Sequence, residues 1–320
     1  MNFLFLILGV VLLTVGGEAL IRGSLAASQR LGVSPLLSGL VIVGFGTSAP
    51  ELVVSIDAAL NGQPDIAIGN VVGSNIGNIL LILGICALIT PLAVKPLALR
   101  RDAATVVAAS LLFLMLVWLG GSTLGRVDAA ILLIALVSYL VWAYWSERYH
   151  AAPSAELHKA EAEELTALPK TVGWIVAAVL IGLLLLISGS QVLLIGAVAI
   201  AQHFGVSEAV IGLTLVAVGT SLPELSISVI ATLRRHTDVA IGNVLGSNIF
   251  NLLGILGVSA LLQPLPVHAR ILQFDQWVML ATALLVLLFL YTGRRISRLE
   301  GGILLAGYGL YVGLSLTKFA

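Results

Sequence analysis

The chain has 320 residues, of which 59% are hydrophobic and 10% are charged, and its 16 basic and 16 acidic side chains give no net charge. Soluble domains usually contain about 45 to 50% apolar residues. The mean hydropathy of +1.10 therefore excludes an ordinary soluble domain and indicates an integral membrane protein. A nucleic-acid partner is not expected, because the sequence has no basic cluster with interleaved aromatic residues.

Ten apolar stretches predict membrane-spanning helices, since a helix needs about 20 such residues to cross the hydrocarbon core. In chain order these stretches are residues 3–28, 36–60, 66–90, 103–119, 127–146, 172–202, 208–233, 239–262, 276–292 and 300–317. The apolar runs are continuous and lack the alternation of barrel strands. The predicted fold class is an all-α polytopic membrane protein. We expect the first run to be a span and not a removed signal peptide, because no basic residue precedes it.

The basic residues predict the orientation of these helices. Thirteen of the 16 Lys and Arg residues fall in alternate connections, and only Arg126, Arg270 and Lys318 fall on the opposite side. Because basic residues are retained on the cytoplasmic side, we expect both termini outside a prokaryotic inner membrane. The polar linker at 147–171 would then be cytoplasmic.

An internal repeat divides the chain into two halves. An offset of 173 residues relates Glu51 to Glu224 and Asp102 to Asp275, and it aligns "DIAIGNVVGSNIGN" (65–78) with "DVAIGNVLGSNIFN" (238–251). Each half has five predicted helices. Because five is an odd number, the second half enters the membrane from the opposite side and is inverted relative to the first. The prediction is two inverted five-helix repeats, residues 1–146 and 172–320, joined by the linker at 147–171. Inverted repeats are typical of secondary transporters.

A proline and a glutamate interrupt one span in each half, in "GFGTSAPELVVS" (44–55) and "AVGTSLPELSIS" (217–228). Pro50 and Pro223 cannot donate a backbone hydrogen bond, so each frees a carbonyl oxygen. That oxygen needs a hydroxyl or a cation as its partner. No Lys or Arg is expected at the depth of Glu51 or Glu224, which leaves protonation or bound cations to neutralise these carboxylates.

The oxygen-bearing side chains around the glutamates favour a hard cation such as Ca²⁺ or Na⁺. On a continuous helix, Thr47, Glu51 and Ser55 would share a face. The second motif adds Ser74 with Asn78, and the other half repeats both patterns. No His or Cys accompanies the glutamates, which argues against a transition-metal site. Glycines of the second motif (Gly69, Gly73, Gly77, Gly242 and Gly246) predict close helix packing.

These paired motifs resemble the two α-repeats of the cation/calcium exchanger superfamily, and they are most similar to those of prokaryotic Na⁺/Ca²⁺ exchangers. The resemblance covers nearly the whole chain. It implies that Glu51 and Glu224 bridge adjacent cation sites, and that the long first and sixth spans slide to switch access. The other implied ligands are Thr47, Ser48, Ser74, Asn78, Thr220, Ser221, Ser247 and Asn251.

One departure concerns Asn78 and Asn251, because many relatives have an aspartate at one of these positions. The two glutamates balance the charge of one Ca²⁺. The resemblance implies exchange of three Na⁺ for one Ca²⁺, and three Na⁺ would leave one excess positive charge. We expect an antiporter that exchanges Na⁺ for Ca²⁺ by alternating access and functions as a monomer in the lipid bilayer, without a cofactor. The alternative is a Ca²⁺/H⁺ or monovalent cation/H⁺ antiporter that uses the same glutamates. An enzyme is not expected, because no HExxH motif or intramembrane Ser/His pair is present.

Overall fold

The computed structural model describes residues 2–93, 96–149, 171–203, 219–293 and 295–319, and most of these residues are helical. Residues 150–170, which form most of the predicted linker, lie outside the described residues. The first part of the predicted span 208–233 does so as well.

The first half contains eight helices and two short strands. They are α1 (Asn2–Leu31), α2 (Pro35–Ser38), α3 (Phe45–Thr47), α4 (Ala49–Leu60), α5 (Pro64–Gly77), α6 (Gly84–Ile89), β1 (Leu92–Ala93), α7 (Pro96–Leu119), β2 (Thr123–Leu124) and α8 (Arg126–Tyr149). Wider π-helical turns join α2 to α3 (Gly39–Gly44) and α5 to α6 (Asn78–Leu83). The second of these makes Pro64–Ile89 one long span.

The described part of the second half has the same pattern. Its elements are α9 (Val172–His203), α10 (Leu222–Leu233), α11 (Thr237–Ile249), α12 (Leu256–Leu262), β3 (Leu265–Pro266), α13 (Gln276–Gly293), β4 (Arg295–Ile296) and α14 (Arg298–Phe319). A π-helical turn at Phe250–Ile255 joins α11 to α12, and another at Ile271–Asp275 precedes α13. Both halves therefore widen the helix at the end of the second motif, and the wider turns include Asn78 and Asn251.

Within the described ranges, seven helices are long and apolar enough to cross a membrane. An eighth span is obtained if Pro35–Thr47 and Ala49–Leu60, which meet at a 44° bend, are counted as one. The remaining two predicted spans correspond to the 12-residue apolar helix α10 and the 22-residue helix α14. The prediction of a helical membrane protein is confirmed.

The long helices α1 and α9 pack side by side along most of their length. Gly9 lies against Leu193, Gly16 against Leu186 and Gly23 against Val179, so the two helices run antiparallel. A Cβ atom built at Gly16 would lie 2.9 Å from the carbonyl oxygen of Gly182. The backbones meet this closely because glycine has no side chain at the contact.

The connections between helices form two separate groups. In one group, β1 pairs with β4, and Thr237 Oγ1 donates to the Ala93 carbonyl at 3.4 Å. In the other, β2 pairs with β3, and His268 lies 3.4 Å from Asp65. Each group contains only connections that the predicted ten-helix topology places on one side of the membrane.

Helices α5 and α11, which hold the second motif, lie at the centre of the molecule. Residues 239–249 of α11 are all buried. A Cβ atom at Gly44 would lie 2.8 Å from the Asn243 carbonyl oxygen, so the α2–α3 segment of the first half packs directly on α11. Gly69 and Gly73 differ, because no heavy atom of the described residues lies within 4 Å of a Cβ at either position. The predicted close packing thus occurs at the glycines of the second half.

Candidate cation-binding site

In both halves, the proline of the first motif lies just after a break in its helix. Ser48 and Ser221 have ψ angles of 8° and 6°, outside the helical range, and a new helix begins at the following residue. Glu51 and Glu224 lie in the first turns of these new helices. The unpaired backbone N–H groups of a first turn favour negative charge. The break also separates Thr47 from Glu51, so the continuous helical face predicted from the sequence does not form.

The carbonyl oxygen freed by Pro223 has a partner within the protein. The Gly219 carbonyl accepts a hydrogen bond of 2.9 Å from the Ser190 hydroxyl of α9. In the first half, the backbone N–H of Ser48 donates to the Gly44 carbonyl at 3.3 Å. A cation is therefore not required to satisfy the Gly219 oxygen, and the candidate ligands are the side chains nearby.

The two glutamates are linked to serines of the opposite half. Ser48 Oγ donates to Glu224 Oε1 at 3.0 Å, and Ser221 Oγ donates to Glu51 Oε1 at 3.2 Å. Each carboxylate thus lies at the broken helix of the other half. The structure therefore places a serine of each half beside the glutamate of the other half, which the sequence repeat alone does not show.

Four buried oxygens have no hydrogen-bond partner among the described residues: Glu51 Oε2, Glu224 Oε2, Asn78 Oδ1 and Asn251 Oδ1. All four side chains are at most 1% exposed. The two halves contribute equivalent oxygens, one carboxylate and one amide each. A buried polar atom without a partner is destabilising by about 1 to 3 kcal/mol. These oxygens are therefore candidate ligands for a cation.

The ten residues predicted from the sequence lie at or beside this cluster. Seven are buried and three are half-buried, namely Ser74, Thr220 and Ser221. Thr47 Oγ1 donates to Asn243 Oδ1 at 3.1 Å, and Ser247 Oγ donates to the Gly44 carbonyl at 3.0 Å. Their hydroxyl groups are held between the halves in this arrangement.

Four asparagines that sequence reasoning missed hold this cluster together. Asn70 Nδ2 donates to the Glu51 carbonyl at 3.2 Å, and Asn243 Nδ2 donates to the Glu224 carbonyl at 3.2 Å. Asn75 and Asn248 form further hydrogen bonds to Asn251 and Asn78. All four asparagines recur at the 173-residue offset inside the second motif, and this recurrence was the signal that could have identified them.

The glutamates differ from the other buried acids of the described ranges in having no basic partner. Asp102 pairs with Arg101 at 2.6 Å, and Asp275 pairs with Arg270 at 3.0 Å. No ion pair of Glu51 or Glu224 is formed by the described residues. Nor do the described residues contain a cluster of three or more His, Cys, Asp and Glu side chains. The candidate site thus has two carboxylates, with amide and hydroxyl oxygens around them.

Two neighbouring cavities lie beside this site. A small cavity of about 40 Å³ is lined by Ser74 and Ser221, and it shares the lining residue Gly73 with a larger cavity of about 320 Å³. Asp65 and His268 line the larger cavity. The larger cavity therefore lies on the side on which β2 pairs with β3.

Comparison with known proteins assigns the family. The family model described as "Sodium/calcium exchanger protein" matches residues 1–145 and 174–317. The chain belongs to the sodium/calcium exchanger family. The match includes both halves, and the proteins of this family with known structures are ion exchangers and not enzymes.

Several relatives of this exchanger-family chain match it over nearly its full length. "Putative antiporter CaxA" of Alkalimonas amylolytica is 42% identical, with 95% of each chain covered. "Inner membrane protein YrbG" of Escherichia coli is 33% identical, covering 94% of this chain and 92% of that one. "Sodium/calcium exchanger MaX1" of Methanosarcina acetivorans is 32% identical, with 96% of each chain covered.

A solved exchanger structure also has the same overall architecture. The sodium-calcium exchanger NCX_Mj, soaked with zero Na⁺ and Ca²⁺, superimposes with a TM-score of 0.80 at 31% identity. The match covers 98% of each chain. The family resemblance inferred from the paired motifs is confirmed.

Proposed function

We propose that this family member is a secondary antiporter that exchanges Na⁺ for Ca²⁺ by alternating access, with the ions bound between the two halves by Glu51 and Glu224. The observation that carries the proposal is the set of four buried, unpartnered oxygens on Glu51, Glu224, Asn78 and Asn251. Two of them belong to carboxylates without a basic partner, and hard cations prefer such oxygen ligands. The names of MaX1 and NCX_Mj support this choice of ions.

The proposed ligands divide into charged and neutral groups. Glu51 and Glu224 balance the charge of one Ca²⁺, and the amide oxygens of Asn78 and Asn251 add coordination without charge. The hydroxyl groups complete the coordination of the ions. They belong to Thr47, Ser48, Ser74, Thr220, Ser221 and Ser247. Ca²⁺ and Na⁺ compete because both need the same two carboxylates, and this competition couples their movements.

The proposed membrane topology has ten spanning helices in two inverted repeats, residues 1–146 and 172–320, with a cytoplasmic linker at 147–171. The antiparallel packing of α1 on α9 supports the inversion, since these helices begin the two repeats. The pairing of β1 with β4 and of β2 with β3 supports the predicted assignment of these connections to the two sides of the membrane. The basic residues favour external termini in a prokaryotic inner membrane. We propose that one chain is the functional unit.

Alternating access would come from sliding of the α1–α9 pair across the site. Among the described residues, the contacts of this pair with the broken helices include the hydrogen bond from Ser190 to the Gly219 carbonyl. Both glutamates remain on α4 and α10 and would stay in place. Movement of two packed helices could thus open the site to one side at a time.

The test is uptake of ⁴⁵Ca²⁺ into proteoliposomes of the full chain. Na⁺-loaded vesicles are diluted into Na⁺-free buffer, and Na⁺-free vesicles with only a pH gradient are measured beside them. Uptake that requires internal Na⁺ supports the proposal. Absence of Ca²⁺ uptake in both kinds of vesicle contradicts it.

A Ca²⁺/H⁺ or monovalent cation/H⁺ antiporter is the second candidate function. It is favoured by the unpartnered oxygens of Glu51 and Glu224, because a buried carboxylate without a basic partner can take up a proton in place of a cation. Ca²⁺ uptake driven by the pH gradient alone would assign proton coupling. Exchange of Na⁺ for H⁺ without Ca²⁺ uptake would assign the monovalent form.

A further inference from the structure

Hydrogen bonding determines which end of the Asn75 amide faces each neighbour. Asn75 Nδ2 donates to the backbone carbonyl of Asn248 at 3.1 Å. A carbonyl oxygen can only accept, so the nitrogen end of the amide must lie there. The oxygen end then faces Asn251 and accepts a hydrogen bond of 3.0 Å from Asn251 Nδ2. This orientation directs Asn251 Oδ1 away from Asn75, and that oxygen has no hydrogen-bond partner among the described residues.

Asn248 forms the equivalent arrangement from the second half. Its Nδ2 donates to the Asn75 carbonyl at 3.2 Å, and its Oδ1 accepts from Asn78 Nδ2 at 3.0 Å. The four side chains thus form two amide pairs, Asn75 with Asn251 and Asn248 with Asn78, where α5 and α11 meet the π-helical turns that follow them. Each half orients the free amide oxygen of the other half.

The direction of these two amides matters for cation binding. An amide oxygen can ligate a cation, whereas the NH₂ group at the other end of the amide carries partial positive charge. Asn78 Oδ1 and Asn251 Oδ1 are buried without a partner, as are one oxygen each of Glu51 and Glu224. If the side-chain amide of Asn78 or Asn251 rotated by 180°, its NH₂ group would take the place of its oxygen and would repel the cation.

We propose that Asn75 and Asn248 are positioning residues that aim the side-chain oxygens of Asn251 and Asn78, respectively, at the bound cation. This inference rests on the proposed exchange function. It assigns no cation contact to Asn75 or Asn248 themselves. Groups that orient metal ligands in this way typically change metal affinity by about 10- to 100-fold when they are removed.

The pairing is crossed, and this makes it testable by double-mutant cycles. Asn75→Leu should lower Ca²⁺ affinity by on the order of tenfold in the wild-type background. It should have no further effect once Asn251→Ala has removed the oxygen that Asn75 orients. In an Asn78→Ala background, the same substitution should keep most of its effect, because the Asn78 amide pairs with Asn248 and not with Asn75. Asn248→Leu should show the opposite pattern.

The measurement is the Ca²⁺ dissociation constant of the purified full chain in detergent, from equilibrium binding of ⁴⁵Ca²⁺. Ser259→Ala is the matched control, because the Ser259 hydroxyl is equally buried and has no partner, but it lies in α12 away from the amides. Its affinity should equal that of the wild type. Elution as a single folded species in size-exclusion chromatography qualifies each variant for the comparison.

A purely structural role, in which the amides only join α5 to α11, predicts effects that do not depend on the background. Equal fold-changes for Asn75→Leu in the Asn251→Ala and Asn78→Ala backgrounds would overturn the proposal. If a leucine variant does not fold, the cycle is run with Asn75→Ala and Asn248→Ala, which leave space for water. Absence of Ca²⁺ binding by the wild type would instead count against the proposed function.

Discussion

At the scale of single residues, Glu51 and Glu224 differ from the other buried acids described. Asp102 and Asp275 each have an arginine and accept a hydrogen bond from a tyrosine, Tyr139 and Tyr311 respectively. Among the described residues, each glutamate accepts a serine bond at one oxygen, and its other oxygen has no partner. Neutralisation of these two carboxylates therefore depends on what binds between them.

Replacement of either glutamate by glutamine tests this dependence. Glu51→Gln or Glu224→Gln keeps an oxygen that can accept the serine bond but removes the charge that balances Ca²⁺. We expect Ca²⁺ binding to be lost, and thermal stability without ions to be maintained, since a buried unpaired charge is removed. Equilibrium ⁴⁵Ca²⁺ binding and thermal unfolding measure the two effects. Asp57→Asn, on the exposed side of α4, is the matched control. Ca²⁺ binding with wild-type affinity by either glutamine variant would contradict the proposed role of the two glutamates.

Substitution of Asn251 by aspartate tests the role of Asn251, the proposed ligand whose amide is bonded to Asn75. Asn251 Nδ2 donates to Asn75 Oδ1, and an introduced aspartate could keep this bond only with a proton on its oxygen. We therefore expect Asn251→Asp to make Ca²⁺ affinity depend on pH more steeply than in the wild type. The same substitution at Asn61, an exposed residue at the end of α4, is the control. A Ca²⁺ affinity and pH profile identical to those of the wild type would show that Asn251 does not face the ions.

At the scale of elements, each half breaks one helix and keeps another long and continuous. The breaks at Ser48 and Ser221 place the glutamates in first turns, where the backbone favours negative charge. The continuous helices α1 and α9 instead meet through glycines. This division suits a transporter in which the ligands stay in place while the covering helices move.

Enlargement of the glycine contacts tests the proposed movement. A Cβ at Gly16 would lie 2.9 Å from the Gly182 carbonyl oxygen, and a Cβ at Gly182 would lie 2.7 Å from the Leu20 nitrogen. Gly16→Ala or Gly182→Ala must therefore separate α1 from α9 or bend one of them. We expect the initial rate of Na⁺-driven Ca²⁺ uptake to fall several-fold, with the Ca²⁺ dissociation constant little changed.

The control for this experiment is Gly173→Ala, at the start of α9. No described heavy atom lies within 4 Å of a Cβ at Gly173, so this variant should transport at the wild-type rate. A fall in Ca²⁺ affinity equal to the fall in transport rate would place the glycine contacts in ion binding. The sliding model would then be rejected.

At the scale of the whole molecule, the helix connections divide into two groups. Asp65 and His268 lie with β2 and β3 on one side of the protein, whereas Ala93, Thr237 and Arg298 lie with β1 and β4. The larger cavity opens into the first group. With the proposed external termini, this group would be extracellular.

The chemical accessibility of introduced cysteines tests this orientation. Cys86 is the chain's single cysteine, and Cys86→Ala provides a background without thiols. In intact cells, a membrane-impermeant maleimide should label His268→Cys but not Arg298→Cys. Both positions should react in inverted vesicles that have been permeabilised. Labelling of Arg298→Cys alone in intact cells would reverse the orientation.

Several conclusions were accessible from the sequence because they depend on local composition and on repetition. Continuous apolar runs predict membrane helices, and the helical membrane class is confirmed. The recurrence of Pro50–Glu51 as Pro223–Glu224 carried the family resemblance, which is confirmed as well. The ten ligand residues, the inverted topology and the orientation remain predictions.

Sequence periodicity could not reveal the break at Ser48, because an ideal helix continues through Thr47 and Glu51. It could not reveal the role of Ser190 either. The position equivalent to Ser190 in the first half is Gly17, so the repeat gives no second copy of that serine. Such features depend on which backbone atoms lie nearby in space.

The sequence by itself therefore determined the membrane class, the internal duplication and the identity of the oxygen-bearing residues, since each follows from residue type and spacing. Only the tertiary structure decided which serine meets which glutamate, and which end of each asparagine faces the site. Packing of α5 against α11 brings together residues about 170 positions apart. The direction of each hydrogen bond at that interface then determines where an oxygen is left free.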